Sequence, residues 1–141
     1  MEKYLSAQPW WHDLPREQIG AGASPELIDE LLALILAGKK TASTGALSGY
    51  NGAIPKPGDR CVLLDGARRP RCVIEDEEVF TTRFDQVSEQ FALLEGEGDY
   101  AEWRAAHENF FAKHAGGFAP DMMVVCERYR VVEIIALEDA A

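Results

Sequence analysis

The chain has 141 residues, 47% of them hydrophobic, which suits one domain with its own core and requires neither disulfides nor metal. Asp and Glu number 24 against 14 Lys and Arg, a net charge of -10, so the surface as a whole repels a polyanion and any nucleic-acid contact has to be local. Cys61, Cys72 and Cys126 offer no CxxC pair and no His at ligand spacing, and no apolar run reaches signal or membrane-span length; the expectations are reduced cysteines, a cytoplasmic location, no membrane, no metal and no other cofactor.

Residues 1–24 read as an N-terminal arm that Trp10 and Trp11 pin to the domain proper, residues 25–141. Ser24-Pro25-Glu26 starts a helix with a hydroxyl cap, a proline at the first helical position and an acid in the first turn. Leu27, Ile28, Leu31, Leu32, Leu34 and Ile35 carry it to Ala37 on one apolar face, and Gly38 supplies the left-handed stop. Residues 45–59 hold four glycines and two prolines and read as a loop.

Residues 60–65 and 71–84 are rich in Val, Ile, Leu, Phe and Thr and read as two strands joined through Gly66-Ala67-Arg68-Arg69-Pro70, with the acidic run Glu75–Glu78 facing water. The only basic cluster, Arg68, Arg69 and Arg71, falls at that hairpin tip and reads as solvated. Asp99 and Glu102 form a capping-box pair at the start of a second helix, whose Tyr100, Trp103, His107, Phe110, Phe111 and His114 share a broad face. Residues 122–137 form a last long β segment. The order helix, loop, two strands, helix, strand lacks the alternation of a parallel α/β fold, so an α+β fold is expected, a small, mostly antiparallel barrel flanked by helices.

Gly38-Lys39-Lys40-Thr41-Ala42-Ser43-Thr44 concentrates cations and hydroxyls between an apolar helix and a glycine-rich loop. It is not a Walker loop, because its Gly-Lys closes a helix instead of opening one. The segment resembles the G-x-K-x-x-[ST] signature of the ASCH family, which shares a PUA-like barrel. Three further stretches are similar to that family in order and spacing: PKPGDRCVLLD entering a strand, LLEGEGDYAEWRAAHENFF running into a Trp-containing helix, and VVCERYRVVEII at the end.

The resemblance implies a pocket for RNA or a nucleoside-like small molecule, since the family includes RNA-binding modules, ribonucleases and hydrolases of acetylated cytidine. Carried over from those hydrolases, Lys40 matches the catalytic Lys, Ser43 the hydroxyl residue three positions on, and Glu97, in preference to Glu95, the downstream acid. Gly38, Lys39, Thr41, Thr44, Tyr50 and Arg83 are the expected ligand contacts around them. Two positions depart from those hydrolases: Ser stands at 43 in place of Thr, and Gly45 stands where they carry an Arg. The implied activity is that of a hydrolase on RNA or a modified nucleoside, the alternative a non-catalytic RNA- or nucleotide-binding module. Chemically, Lys40 can act as a base toward Ser43 only if burial brings its pKa down.

Overall fold

The computed structural model describes residues 8–20 and 22–139. Of the expected arm, residues 1–7 and 21 lie outside the described residues. Among the described residues, eight regular elements follow in order: β1 (Arg16–Gln18), α1 (Pro25–Leu36), β2 (Ala42–Ala46), β3 (Arg60–Leu64), β4 (Pro70–Arg83), α2 (Glu89–Leu93), α3 (Tyr100–His114) and β5 (Met123–Ile134), with short 3-10 turns at Leu47–Tyr50, Phe84–Gln86 and Leu137–Asp139.

Local sequence explains the helix ends. Ser24 accepts from the Leu27 amide and Pro25 opens α1. At the far end Gly38, with φ of 76°, lets the Gly38 amide reach Ile35 O and the Lys39 amide reach Leu34 O, a Schellman close that turns the chain directly into Lys40. Asp99 and Glu102 exchange both bonds of the capping box expected for α3.

The strands form one mixed sheet in the order β1-β3-β4-β5-β2, antiparallel except for β1 beside β3. β4 and β5, 14 and 12 residues long, pair along most of their length. Their register slips between Val73 and Ile74 and again between Asp76 and Glu78, which strengthens the local twist. The expected closed barrel is not met among the described residues: β1 and β2 remain the two edges, three and five residues long. Three elements were not anticipated. β1 and α2 are too short to show a period, and β2 runs through the hydroxyl-rich segment after Lys40.

One apolar cluster joins α2 and α3 to the sheet through Phe84, Phe91, Trp103, Phe111, Val124 and Cys126. A second seats Leu32 and Ile35 of α1 on Leu63, Cys72, Ile74 and Tyr129, and a third packs Trp11 on Val62, Leu64, Val73 and Ile135. Cys72 and Cys126 are buried, Cys61 is half-buried, and all three are free thiols. The acidic run on β4 does not lie wholly in water. Glu77 and Glu78 are exposed, but Asp76 is turned inward and only 7% exposed, because alternation along the strand puts it on the face of Ile74. No helix among the described residues is long and apolar enough to cross a membrane.

Candidate functional site

Lys40 is the centre of the site. The Schellman close aims its side chain under the segment leading to α3, where Nζ meets Glu95 Oε1 at 3.1 Å and Glu97 Oε2 at 2.6 Å. Lys40 is 3% and Glu95 1% exposed, so this is a buried ion pair with Glu97 at its rim. Gly96, with φ of 68°, makes the arrangement possible: a Cβ there would stand 2.5 Å from Lys39 O. The segment between α2 and α3 therefore approaches the Lys39 backbone closely enough for acids on both sides of the glycine to reach one ammonium.

Glu95 has three further neighbours. Its Oε2 accepts from Thr44 Oγ1 at 2.7 Å and from Trp103 Nε1 at 2.8 Å, and its Oε1 lies 3.4 Å from His107 Nε2. Burial alone would raise the Glu95 pKa, but Lys40, His107 and Thr44 outweigh it and hold the carboxyl well below its ordinary value. Burial likewise disfavours the Lys40 ammonium, and the carboxylates of Glu95 and Glu97 overcome it, raising the pKa above the usual lysine value. His107 Nδ1 sits 2.8 Å from Trp103 O, which leaves Nε2 facing Glu95; burial opposes the imidazolium, Glu95 favours it, and the net shift is upward.

Ser43 and Tyr50 are arranged differently. Ser43 Oγ lies 2.7 Å from Tyr129 Oη, which is 3.3 Å from Ala42 O. Burial raises the Tyr129 pKa, so its phenol stays protonated and offers Ser43 no base. Tyr50 lies over Gly45, whose missing Cβ leaves room for its ring, and donates to Glu127 Oε2 at 2.7 Å. Thr41 caps the Leu94 carbonyl with its amide at 2.8 Å. Lys39 is exposed, and Arg83 is tied to Asp85 by two bonds of 3.0 and 2.7 Å at the end of β4.

Of the residues singled out from the sequence, Lys40, Thr44 and Glu97 thus meet in one network. Ser43 joins Tyr129, Tyr50 joins Glu127, and Arg83 is engaged elsewhere. Both Glu95 and Glu97 contact Lys40, and the one more deeply buried is Glu95. Tyr129, His107, Trp103 and Glu127 complete these networks. Their only sequence signal was position in the aromatic face of α3 and in the alternation of Glu127 and Tyr129 on β5.

An open cleft of about 420 Å³ lies where α1 ends against β5. Ile35, Leu36, Leu94, Val131 and Ile134 give it apolar walls, and Gly38, Lys40, Thr41, Glu77, Arg128, Tyr129 and Arg130 add polar groups. Glu95, Glu97 and His107 each bring a ligand atom within 4.8 Å of the others, a spacing a metal ion could use. The Lys40 ammonium already bonds both carboxylates and supplies the positive charge there.

No curated protein matches the chain. Among solved structures, the chain is 29% identical to protein EF3133 from Enterococcus faecalis V583, at a TM-score of 0.78 and with 94% of this chain and 83% of that one covered. It is 32% identical to an ASCH domain from Lactobacillus crispatus JV V101, at a TM-score of 0.76 with 94% and 91% covered. A mutant of an ASCH protein from Zymomonas mobilis shares the fold at 14% identity and a TM-score of 0.50, over 78% of this chain and 71% of that one. The model of the ASCH domain matches residues 17–133, which contain the whole Lys40 network, and the chain belongs to the ASCH domain family.

Proposed function

We propose that this chain is a recognition module for single-stranded RNA or a nucleotide-like ligand, which it seats in the cleft between the end of α1 and β5. One observation carries the reading: in a chain of net charge -10, Arg128 and Arg130 line this cleft beside its apolar walls, with Glu77 the acid among the lining residues, while Lys40, also lining it, is already paired with Glu95 and Glu97. Apolar walls beside a cationic rim suit a base and its phosphate together. Arg128 and Arg130 are held by Glu75, Glu77 and Glu78 at 2.8 to 3.4 Å, but these pairs are largely exposed and can exchange for a phosphate at little cost. Belonging to a fold family does not itself assign an activity.

Recognition without turnover is the form the electrostatics favour. Lys40 is held as an ammonium by two carboxylates and cannot accept the Ser43 proton, and the hydroxyl beside Ser43 is a protonated phenol. The second reading, hydrolysis of a modified nucleoside or RNA with Ser43 as nucleophile and Lys40 and Glu97 as its helpers, rests on the Lys40–Glu97 contact and on the chain's ASCH membership. It needs ligand binding to strip a carboxylate from Lys40.

Fluorescence anisotropy with labelled single-stranded RNA of about eight nucleotides, at two salt concentrations, tests the first reading. Chromatography of the same mixtures reads turnover. Saturable, salt-weakened binding without products supports recognition, and products that vanish in Lys40→Arg support the hydrolase. Neither binding nor products, with nucleotides or RNA, ends both readings.

A further inference from the structure

A second polar cluster occupies the sheet face on which α1 packs, beyond the residues that the helix covers. Ser43 pairs with Glu127 across β2 and β5, and Asp76 pairs with Tyr129 across β4 and β5, so the four side chains share a face. Glu17 of β1 is the register partner of Leu63 on that same face, and Cys61 lies two residues before Leu63. Tyr50 closes the cluster from the 3-10 turn, with its hydroxyl on Glu127 Oε2. Cys61 Sγ donates to Glu17 Oε2 at 3.6 Å.

Asp76, buried and flanked by the half-buried Glu127 and the exposed Glu17, differs from the protein's other buried acids in its charge balance. Glu95 has Lys40, and Asp65 has Arg69 at 2.9 Å. Among the described residues, neither Glu17, Asp76 nor Glu127 has a Lys, Arg or His within ion-pair distance. Asp76, 7% exposed, faces the Glu127 carboxyl, yet among the described residues its Oδ1 has no donor. An orphaned carboxylate oxygen this deeply buried is unfavourable unless a donor arrives.

We propose that Glu17, Asp76 and Glu127, walled by Tyr50, form a binding site for a small organic cation bearing an ammonium or guanidinium group. The missing charge is positive, and the missing hydrogen-bond partner is a donor, which these two groups supply together. An inorganic metal ion fits less well. Among the described residues, the acid and histidine atoms that gather within 4.8 Å belong to Glu95, Glu97 and His107, so this cluster is spread wider than a metal's ligand shell. The Tyr50 ring offers the cation an aromatic face, and Gly45 beneath it leaves that ring its place.

A proton competes for the same position. Burial first, then Glu127, Glu17 and Asp59, push the Asp76 carboxyl up to about 8, while burial and Glu17 raise the Cys61 thiol, and burial and Glu127 raise the Tyr50 phenol. The groups facing Asp76 are thus acids or neutral donors on β1, β3, β5 and the Tyr50 turn, and the ligand cation displaces a proton held by Asp76. The site lies on other residues than the Lys40 cleft, so it stands or falls apart from RNA recognition.

Isothermal titration of the full chain with agmatine, which carries both cationic groups, and with butanol as a neutral control, decides the matter. Agmatine should bind saturably and tighten from pH 6 to pH 9, butanol should not bind, and Glu127→Gln and Asp76→Asn should each weaken agmatine by at least about tenfold. Glu108→Gln, a partly exposed acid on α3 away from the cluster, should bind as the wild type does. Both site substitutions remove a carboxylate from a like-charged cluster and leave folding intact. Absence of saturable agmatine binding at pH 9, or equal binding by the Asp76→Asn/Glu127→Gln double variant, overturns the assignment.

Discussion

Replacing Lys40 with Met keeps the length of the side chain and removes its charge, leaving Glu95, 1% exposed, without its ammonium. Thr44, Trp103 and His107 still face that carboxylate, but only His107 can supply a positive charge. Removing one partner of a buried pair costs about 3–5 kcal/mol, because the remaining ion is stranded in low dielectric. In a domain of this size that corresponds to a fall in Tm of roughly 10–20 °C. Calorimetry and urea unfolding at pH 7 measure it. Glu95→Gln in the Lys40→Met background should recover part of the loss, since a neutral amide no longer needs the ammonium. Acid and base limbs add a second check. The Glu95 pKa is lowered from 4.5 on folding, so its share of stability is present above that pH and lost as pH falls below it. The Lys40 pKa is raised from 10.5, so its share is present below that pH and lost as pH climbs beyond it. A Lys40→Met protein within about 1 kcal/mol of the wild type, or no recovery on adding Glu95→Gln, would refute the buried-pair account.

Other substitutions probe neighbouring contacts. Gly96→Ala puts a Cβ 2.5 Å from Lys39 O at a positive φ and should destabilise by more than about 2 kcal/mol in urea melts, with Glu97 pulled off Lys40. Thr44→Val removes one donor to Glu95 Oε2 while Trp103 Nε1 remains, so a loss of about 1–2 kcal/mol is expected by the same measurement. Asp76→Asn should raise Tm at pH 9 and change it little near pH 4. A carboxyl raised from 3.8 to about 8 lends stability only while protonated and loses it as pH rises through that window. Gly45→Ala meets the Tyr50 hydroxyl at 3.0 Å and should shift the Tyr50 resonances in NMR spectra while leaving Lys40 in place.

The sequence carried α1 and α3 because their signals are local. Ser24, Pro25 and Gly38 bound α1, and Asp99 with Glu102 caps α3, where the structure puts them. Strands β3, β4 and β5 were legible from β-branched runs. β1 was not, since three residues beside a parallel neighbour show no alternation, and β2 was hidden because Ala42–Ala46 is poor in β-branched and aromatic residues. At the site, Lys40, Thr44 and Glu97 were identified through motif order, but the dominance of Glu95 was not. Its burial depends on Trp103 and His107, one and two turns into α3, closing over it, which no spacing between Lys40 and Glu95 reveals. The inward turn of Asp76 escaped for a related reason: in the run Glu75–Glu78, strand parity assigns faces, and four acids in a row erase the apolar contrast by which parity is read.

Backbone NMR spectra of the chain, titrated with a mononucleotide and then with a short single-stranded RNA, address the central claim most directly because they locate the ligand as well as detect it. Recognition in the cleft predicts saturating shifts at Gly38, Lys40, Thr41 and Arg128–Val131, with smaller changes on the sheet face that holds Asp76 and Glu17. Saturating shifts confined to other surfaces, or none at millimolar nucleotide and RNA, would contradict it.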